Sequence, residues 1–271
     1  MLPNPSITFA KISDQIRKHN LLEDVCVRLE KEFGLTPCLA AEIEFYLDKD
    51  YGESEGSDVN AGKFFLKKEK GLYQYEIDLP PETNMLSLVR NIENSKQDLQ
   101  NIYPFITFHP KPFPDDYGSA MHFHINFLDQ KGENYFDDSR SMNLAASSLC
   151  HYLIPTFFLF APGEDHYSRY SGLMAPTHVS YGPNNRTVAI RIPDALPKRL
   201  EHRVSSPLTD PHIAIFAILK SIYLGLKYNT EIKYYDKTYG NAFDPQYTLI
   251  PFPSSAEEAL QYFSKDFLTE F

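Results

Sequence analysis

Two short segments place metal-competent atoms at every second residue: Glu42 and Glu44 within residues 40–47, and His122, His124 and Asn126 within residues 118–127. Side chains of a β-strand alternate between faces. Glu42 and Glu44 therefore share a face of one strand, and His122, His124 and Asn126 a face of the other, while Ile43, Phe45, Phe123, Ile125 and Phe127 turn into apolar packing. Either segment alone also reads as a half-buried strand with a polar outer face; together they describe a metal-competent surface on a buried sheet. Further along, Glu69 and Glu76 flank residues 70–75, Glu201 stands two residues before Arg203, and arginines recur at 169, 186, 191 and 199. Such carboxylates, gathered with a histidine, repel one another unless divalent cations neutralise them, and an oxygen-rich ligand set favours Mg²⁺ or Mn²⁺ over zinc. Arginines around the cluster suit phosphate or carboxylate ligands.

The elements that must position these residues follow from periodicity. Residues 9–33 carry apolar positions in a helical pattern that Gly34 stops, and the first strand follows. Residues 51–62 are rich in Gly, Ser, Asp and Glu and read as a mobile loop; residues 72–79 alternate as a strand that Pro80-Pro81 ends. A helix is expected over 82–101, strands over 105–109 and 120–128, and an apolar helix over 139–153 with a proline and glycine loop after it. Residues 177–181 and 187–193 read as a hairpin around Gly182-Pro183-Asn184-Asn185, and 210–228 as a buried helix opened by Asp-Pro. The stretch after Thr230 has no assigned role.

Composition sets the bounds. A chain of 271 residues with 42% hydrophobic content can bury one large core or two modest ones, and one domain over 1–271 is expected. A net charge of −10 weighs against a broad nucleic-acid surface or an anionic membrane, although metal ions and local arginines let an acidic protein hold a nucleotide. Cys26, Cys38 and Cys150 are too scattered for a disulfide framework or a zinc site, which makes a reduced, cytoplasmic setting the default expectation. The amino terminus has no signal-peptide pattern and no segment reads as an uninterrupted membrane span, so a soluble, unprocessed protein is expected.

Several motifs recur in the order of one family. They are Ala41-Glu42-Ile43-Glu44-Phe45, Glu69 with Gln74-Tyr75-Glu76, His109-Pro110-Lys111-Pro112-Phe113 and Gly118-Ser119-Ala120-Met121-His122-Phe123-His124. Ala175-Pro176, Asn185-Arg186-Thr187 through Ile190-Arg191-Ile192-Pro193, and Glu201-His202-Arg203 with the 207–211 helix start continue the series. From about residue 8 to 229 the chain resembles the catalytic domain of glutamine synthetase. The resemblance implies an α+β fold, with a curved antiparallel sheet or incomplete barrel flanked by helices, and the use of ATP and two Mg²⁺ or Mn²⁺ ions. It implies that Glu44, Glu69 and Glu76 hold the ion facing the acceptor carboxylate, and that Glu42, His122 and Glu201 hold the ion facing the transferred phosphoryl group. Arg186, Arg191 and Arg199 match the phosphate arginines, and Arg169 and Arg203 those that recognise the glutamate carboxylates, with Arg186 and Arg203 in the catalytic roles. His124 and Asn126 match positions lining the nucleotide site, and Gly118 the backbone position that approaches the amino acid.

Three departures bear on substrate. The family's smaller N-terminal β-grasp domain is expected to have no counterpart, since the resemblance starts at the first helix of the catalytic domain. An oligomer unlike the family's double hexameric ring is therefore expected, with residues 234–271 as the cover of the exposed sheet mouth or as a new interface. Met174 stands before Ala175-Pro176 where the family has a glutamate that deprotonates ammonium, in a segment one residue shorter counted from Arg169. Tyr117 replaces an asparagine before Gly118, crowding the glutamate pocket. These features point to an ATP-dependent carboxylate-amine ligase that makes a γ-glutamyl or related amide from a glutamate-like acid and an amine other than ammonia. Glutamine synthesis with another group as base, and a catalytically weak nucleotide- or glutamate-binding relative with a regulatory role, are the alternatives.

Overall fold

The computed structural model describes residues 4–48, 58–171, 174–183, 185–229, 234–247 and 249–269. In chain order the elements are α1 (Pro5–Lys18), α2 (Leu21–Phe33), β1 (Thr36–Tyr46), β2 (Val59–Ala61), β3 (Phe64–Lys68), β4 (Gln74–Glu82), α3 (Met85–Ile102), β5 (Met121–Leu128) and α4 (Ser139–Phe160). They continue with β6 (His178–Val179), β7 (Tyr181–Pro183), β8 (Ile190–Ile192), β9 (Leu200–His202), α5 (Pro211–Lys227), β10 (Ile250–Pro251), α6 (Ala256–Tyr262) and α7 (Asp266–Thr269). The large sheet runs β2-β3-β4-β1-β5-β9-β8-β7, and all its neighbours are antiparallel except β7 and β8. It is the open, mostly antiparallel sheet of an α+β fold.

Register explains why the two opening segments belong together. Glu42 pairs with His122 across β1 and β5 and with Asp78 across β1 and β4; Glu44 pairs with Glu76, and His124 with Glu201. Paired residues project to the same side, so the acids of β1 and the histidines of β5 occupy one face. The alternate residues Ile43, Phe45, Ile77, Phe123 and Ile125 are buried on the other. Against that apolar side pack α2 and α3, with α5 behind them and α4 against α5. Gly225 of α5 touches α4 so closely that a Cβ there would lie 1.7 Å from Ser148 Oγ. Buried apolar residues from Ile12 to Leu268 form one core.

Several elements differ from expectation for identifiable reasons. The helix expected over 9–33 breaks at Asn20, which adopts a left-handed conformation at φ 51°, while Gly34 at φ 68° ends α2 as expected. Pro80-Pro81 does not end β4. The two prolines, which have no N–H for a ladder, sit at a register shift between Leu39 and Ala41, where two residues oppose Ala40. Residues 105–109 form only an isolated bridge, Tyr46 to Thr107. Of the loop expected over 51–62, residues 51–57 lie outside the described residues, and Val59–Ala61 is the edge strand β2. The expected 177–193 hairpin is instead a parallel pairing of β7 with β8, and β6 leaves to pair with β10.

Helix α4 continues past residue 153 and carries Pro155 inside it. It is long and apolar enough to cross a bilayer, yet 67% of its most apolar window is buried within the fold. Helix α5 starts as its Asp-Pro predicts, with the Asp210 side chain accepting from His212 N. The C-terminal segment packs on the helical layer: Phe252 and Phe267 meet Phe157, Tyr152 and Phe216. Thr238 N donates to Tyr181 O at 2.8 Å along β7.

Candidate active site

Alternation along five strands assembles the polar face. Strand β4 contributes Gln74, Glu76 and Asp78; β1 contributes Glu42 and Glu44; β5 contributes His122, His124 and Asn126; β9 contributes Glu201, with Arg199 and Arg203 flanking it; β8 contributes Arg191. Glu69 follows β3, its N–H donating to Gln74 O at 2.9 Å.

At one end, His122 Nδ1 lies 3.3 Å from Glu42 Oε2 and 3.5 Å from Glu201 Oε1. Ligand atoms of Glu42, His122 and Glu201 all approach within 4.8 Å of one another. Glu201 is buried, 1% exposed, with one oxygen 2.7 Å from Arg191 Nη1 and the other bonded to Arg203 Nη1. Burial raises its carboxyl pKa, but Arg203 and His122 override this and hold it at about 2. Burial likewise works against Glu42, whose bonds from His122 and His124 keep it far below the carboxylate range. Burial and the neighbouring Arg203 push the His122 imidazole down to about 4, so it presents a neutral ring, the form that ligates metals. His124 Nε2 contacts Glu42 Oε1 at 2.6 Å, and Arg199 Nε donates to His124 Nδ1 at 3.0 Å.

The other end is acid-rich. Glu44, Glu69 and Glu76 line one crevice with Glu42, His122 and Glu201. Burial and then Glu69 push the Glu44 carboxyl up to about 8. Burial and then Glu42 push Glu76 up to about 9. Among the described residues the second triple of converging ligand atoms is Glu42, Glu76 and Asp78, not Glu44, Glu69 and Glu76. Asp78 was not singled out from the sequence, though it continues the alternation begun at Glu76. Carboxylates raised this far by burial and mutual repulsion, beside a neutral histidine, fit hard divalent ions such as Mg²⁺ or Mn²⁺.

Two clefts flank the cluster. A cleft of about 540 Å³ opens beside His124, Asn126 and Arg199, with Ala40, Pro80, Pro81, Leu196 and Pro197 among its apolar walls. A crevice of about 30 Å³ lies between Glu44, Tyr117, Arg169, Met174, Arg186 and Arg203. Arg186 also borders the acid cluster. Arg169 donates to the carbonyls of Ser119, Arg203 and Val204 at 2.9, 3.3 and 2.9 Å, so it clamps β9 to the segment before β5 as well as lining the crevice. Gly118 is required by that clamp: a Cβ there would stand 2.8 Å from Arg169 Cβ and 3.1 Å from Pro110 O. Arg203 Nε is buried with no hydrogen-bond partner among the described residues, a donor left over for an acceptor. Met174 adopts a left-handed backbone at φ 63°, its carbonyl accepts from Arg203 Nη2 at 3.2 Å, and its side chain is 40% exposed at the crevice.

Comparison with known proteins bears on this arrangement. Residues 63–270 match the family described as glutamine synthetase, catalytic domain. The match reaches into the C-terminal segment, beyond residue 229 where the resemblance read from the sequence stops. Gamma-glutamylputrescine synthetase PuuA of Escherichia coli K12 is 33% identical over 165 residues, which are 58% of this chain and 34% of that protein. Glutamine synthetase of Thermococcus kodakarensis is 27% identical over 294 residues, covering 93% of this chain and 66% of that enzyme. The chain thus spans from about a third to just under two thirds of the length of these relatives. A solved structure titled GmaS/ADP complex shares the fold at a TM-score of 0.78 and 19% identity, covering 92% of this chain and 68% of that one.

Proposed function

Because the chain belongs to the glutamine synthetase catalytic-domain family, we propose that it is an ATP-dependent ligase joining glutamate, or a glutamate-like acid, to a primary amine through an acyl phosphate. One observation carries this reading: the converging Glu42, His122 and Glu201 lie between an apolar-walled cleft and an arginine-lined crevice on one sheet face. Glu42, His122 and Glu201 would hold one Mg²⁺ or Mn²⁺ ion, and Glu44, Glu69 and Glu76 with Asp78 alongside a second; such ions would supply charge neutralisation for phosphoryl transfer.

The residues divide the remaining work. His124, Asn126 and Arg199 face the nucleotide cleft, Arg191 and Arg186 serve the phosphates, and Arg203 and Arg169 with the Gly118 backbone orient the acid. The acid's carboxylate oxygen takes the γ-phosphoryl group and ADP leaves; the amine nitrogen then attacks the acyl carbon, phosphate departs, and the nitrogen gives up a proton. Met174 cannot take that proton or attract ammonium, whereas its thioether can pack against an alkyl group, which supports an amine larger than ammonia. The similarity to a γ-glutamylputrescine synthetase supports the same choice.

The test is a screen of amines with Mg-ATP and glutamate, read as phosphate release. An organic amine is expected to outpace ammonium at equal concentration, and Met174→Glu to raise ammonium use. Ammonium as the best nucleophile of the unaltered protein would favour glutamine synthesis. ATP binding without turnover on any amine would favour the binding-protein alternative.

A further inference from the structure

The polar face contains a cation of its own that the proposed reaction does not use. Lys67 on β3 stands directly across from Glu76 on β4. Its Nζ lies 3.5 Å from Glu76 Oε1 and is hydrogen-bonded to Asp78. Glu76 and Asp78 are two members of the second converging triple, and Glu42 is the third. The Lys67 ammonium therefore contacts two of the carboxylates that would surround a second divalent ion. Glu76 belongs to that ion's ligands whether its companions are Glu44 and Glu69 or Glu42 and Asp78.

An ordinary exposed ion pair contributes little to stability. This one differs because its acceptors are shared.

We propose that Lys67 is a tethered counter-cation that sets the affinity of the Glu76 corner for a divalent ion, which binds there by displacing the ammonium. The inference rests on the metal reading above and adds a residue outside the ligand set that controls one site and not the other. The end built from Glu42, His122 and Glu201 has Arg191 and Arg203 as its counter-charges and does not touch Lys67.

The experiment is a Mn²⁺ titration of the nucleotide-free protein, with free Mn²⁺ read by electron paramagnetic resonance. Lys67→Met keeps the stem and removes the charge; it is expected to tighten one of two sites roughly tenfold and to leave the other nearly unchanged. Lys67→Arg keeps the charge and should titrate like the unaltered protein. Lys63→Met removes a charge paired instead with Asp98, and should move neither site. Thermal melts in chelator check that each variant is folded, and Lys67→Gln serves in place of Lys67→Met if that protein is not. Superimposable isotherms for the unaltered protein and Lys67→Met, or an equal gain in Lys63→Met, would overturn the role of Lys67. If no variant, nor the unaltered protein, binds Mn²⁺, the metal reading itself falls and this inference with it.

Discussion

The two ends of the polar face contain similar acids and neutralise them by opposite means. Around Glu201 the protein supplies its own positive charge: Arg191 and Arg203 take both carboxylate oxygens and hold the acid ionised in a fully buried position. Around Glu44 and Glu76 the acids face one another, and burial with like charge drives their pKa values up to about 8 and 9. A carboxylate caged by guanidinium groups is part of the folded frame, whereas carboxylates gathered together with one lysine ammonium at their edge keep an excess of negative charge. The difference separates an acid whose ion pairs also hold the fold together from acids whose charge the fold leaves largely uncompensated.

Substitutions should split along that line. Glu201→Ala leaves two guanidinium groups of Arg191 and Arg203 without their shared carboxylate, at an expected cost of about 3–5 kcal/mol in chemical denaturation and the loss of turnover. Equal stability of this variant and the unaltered protein would break the comparison. Gly118→Ala tests the clamp joining both ends, because the new methyl group meets Arg169 and Pro110; overpacking of this kind should cost about 1–3 kcal/mol and raise the KM for the acid.

A smaller effect is expected in the pH dependence of the metal-free protein. Glu44 and Glu76 have folded pKa values above the unfolded value, so they favour the folded state fully at pH below about 4.5 and lose that contribution as pH rises through 8 and 9. His122, His166 and His202 are held neutral at pKa values of about 4, 4 and 3 and therefore act in the opposite sense, but only as pH falls below about 6.5. Between pH 6.5 and 8, stability in chelator should fall by about 1–3 kcal/mol per pH unit, and saturating Mn²⁺ should flatten the slope; above pH 8 Lys96, held down to about 8 by burial, acts in the opposite sense. Denaturant midpoints across that window decide it. Glu76→Gln sharpens the point: in chelator at pH 8 it should stabilise by about 1 kcal/mol while abolishing turnover. Smallest of all, Asp210→Ala removes the cap of α5 on the helical side, costing about 1 kcal/mol with no change in activity per folded molecule.

The paired acids and histidines were legible in the sequence because strand alternation is a local property: β1 and β5 each display their ligand faces over a few residues. Which strand lies beside which is not local. The side-by-side order β4-β1-β5-β9 brings Glu76, Glu42, His122 and Glu201 together from positions far apart in the chain. Family resemblance supplied that gathering where periodicity could not. Asp78 and Lys67 escaped notice because their significance lies in what stands opposite them, and the Arg169 clamp because its partners are backbone carbonyls, which no sequence pattern marks. Pro80-Pro81 misled as a strand end because a bulge can absorb prolines within a ladder. The β7 and β8 segments resembled a hairpin because turn residues indicate a reversal without stating which edge the chain rejoins.

The contact of Gly225 with Ser148 also has a consequence for time. With α4 and α5 pressed this closely, and α5 buried along nearly its whole length, the two helices cannot separate without dissolving the core. Their amide protons should exchange with solvent only when the whole fold opens. Those of the three-residue edge strand β2, paired among the described residues with β3 alone, should exchange through local fraying, on a clock that bound ions leave unchanged.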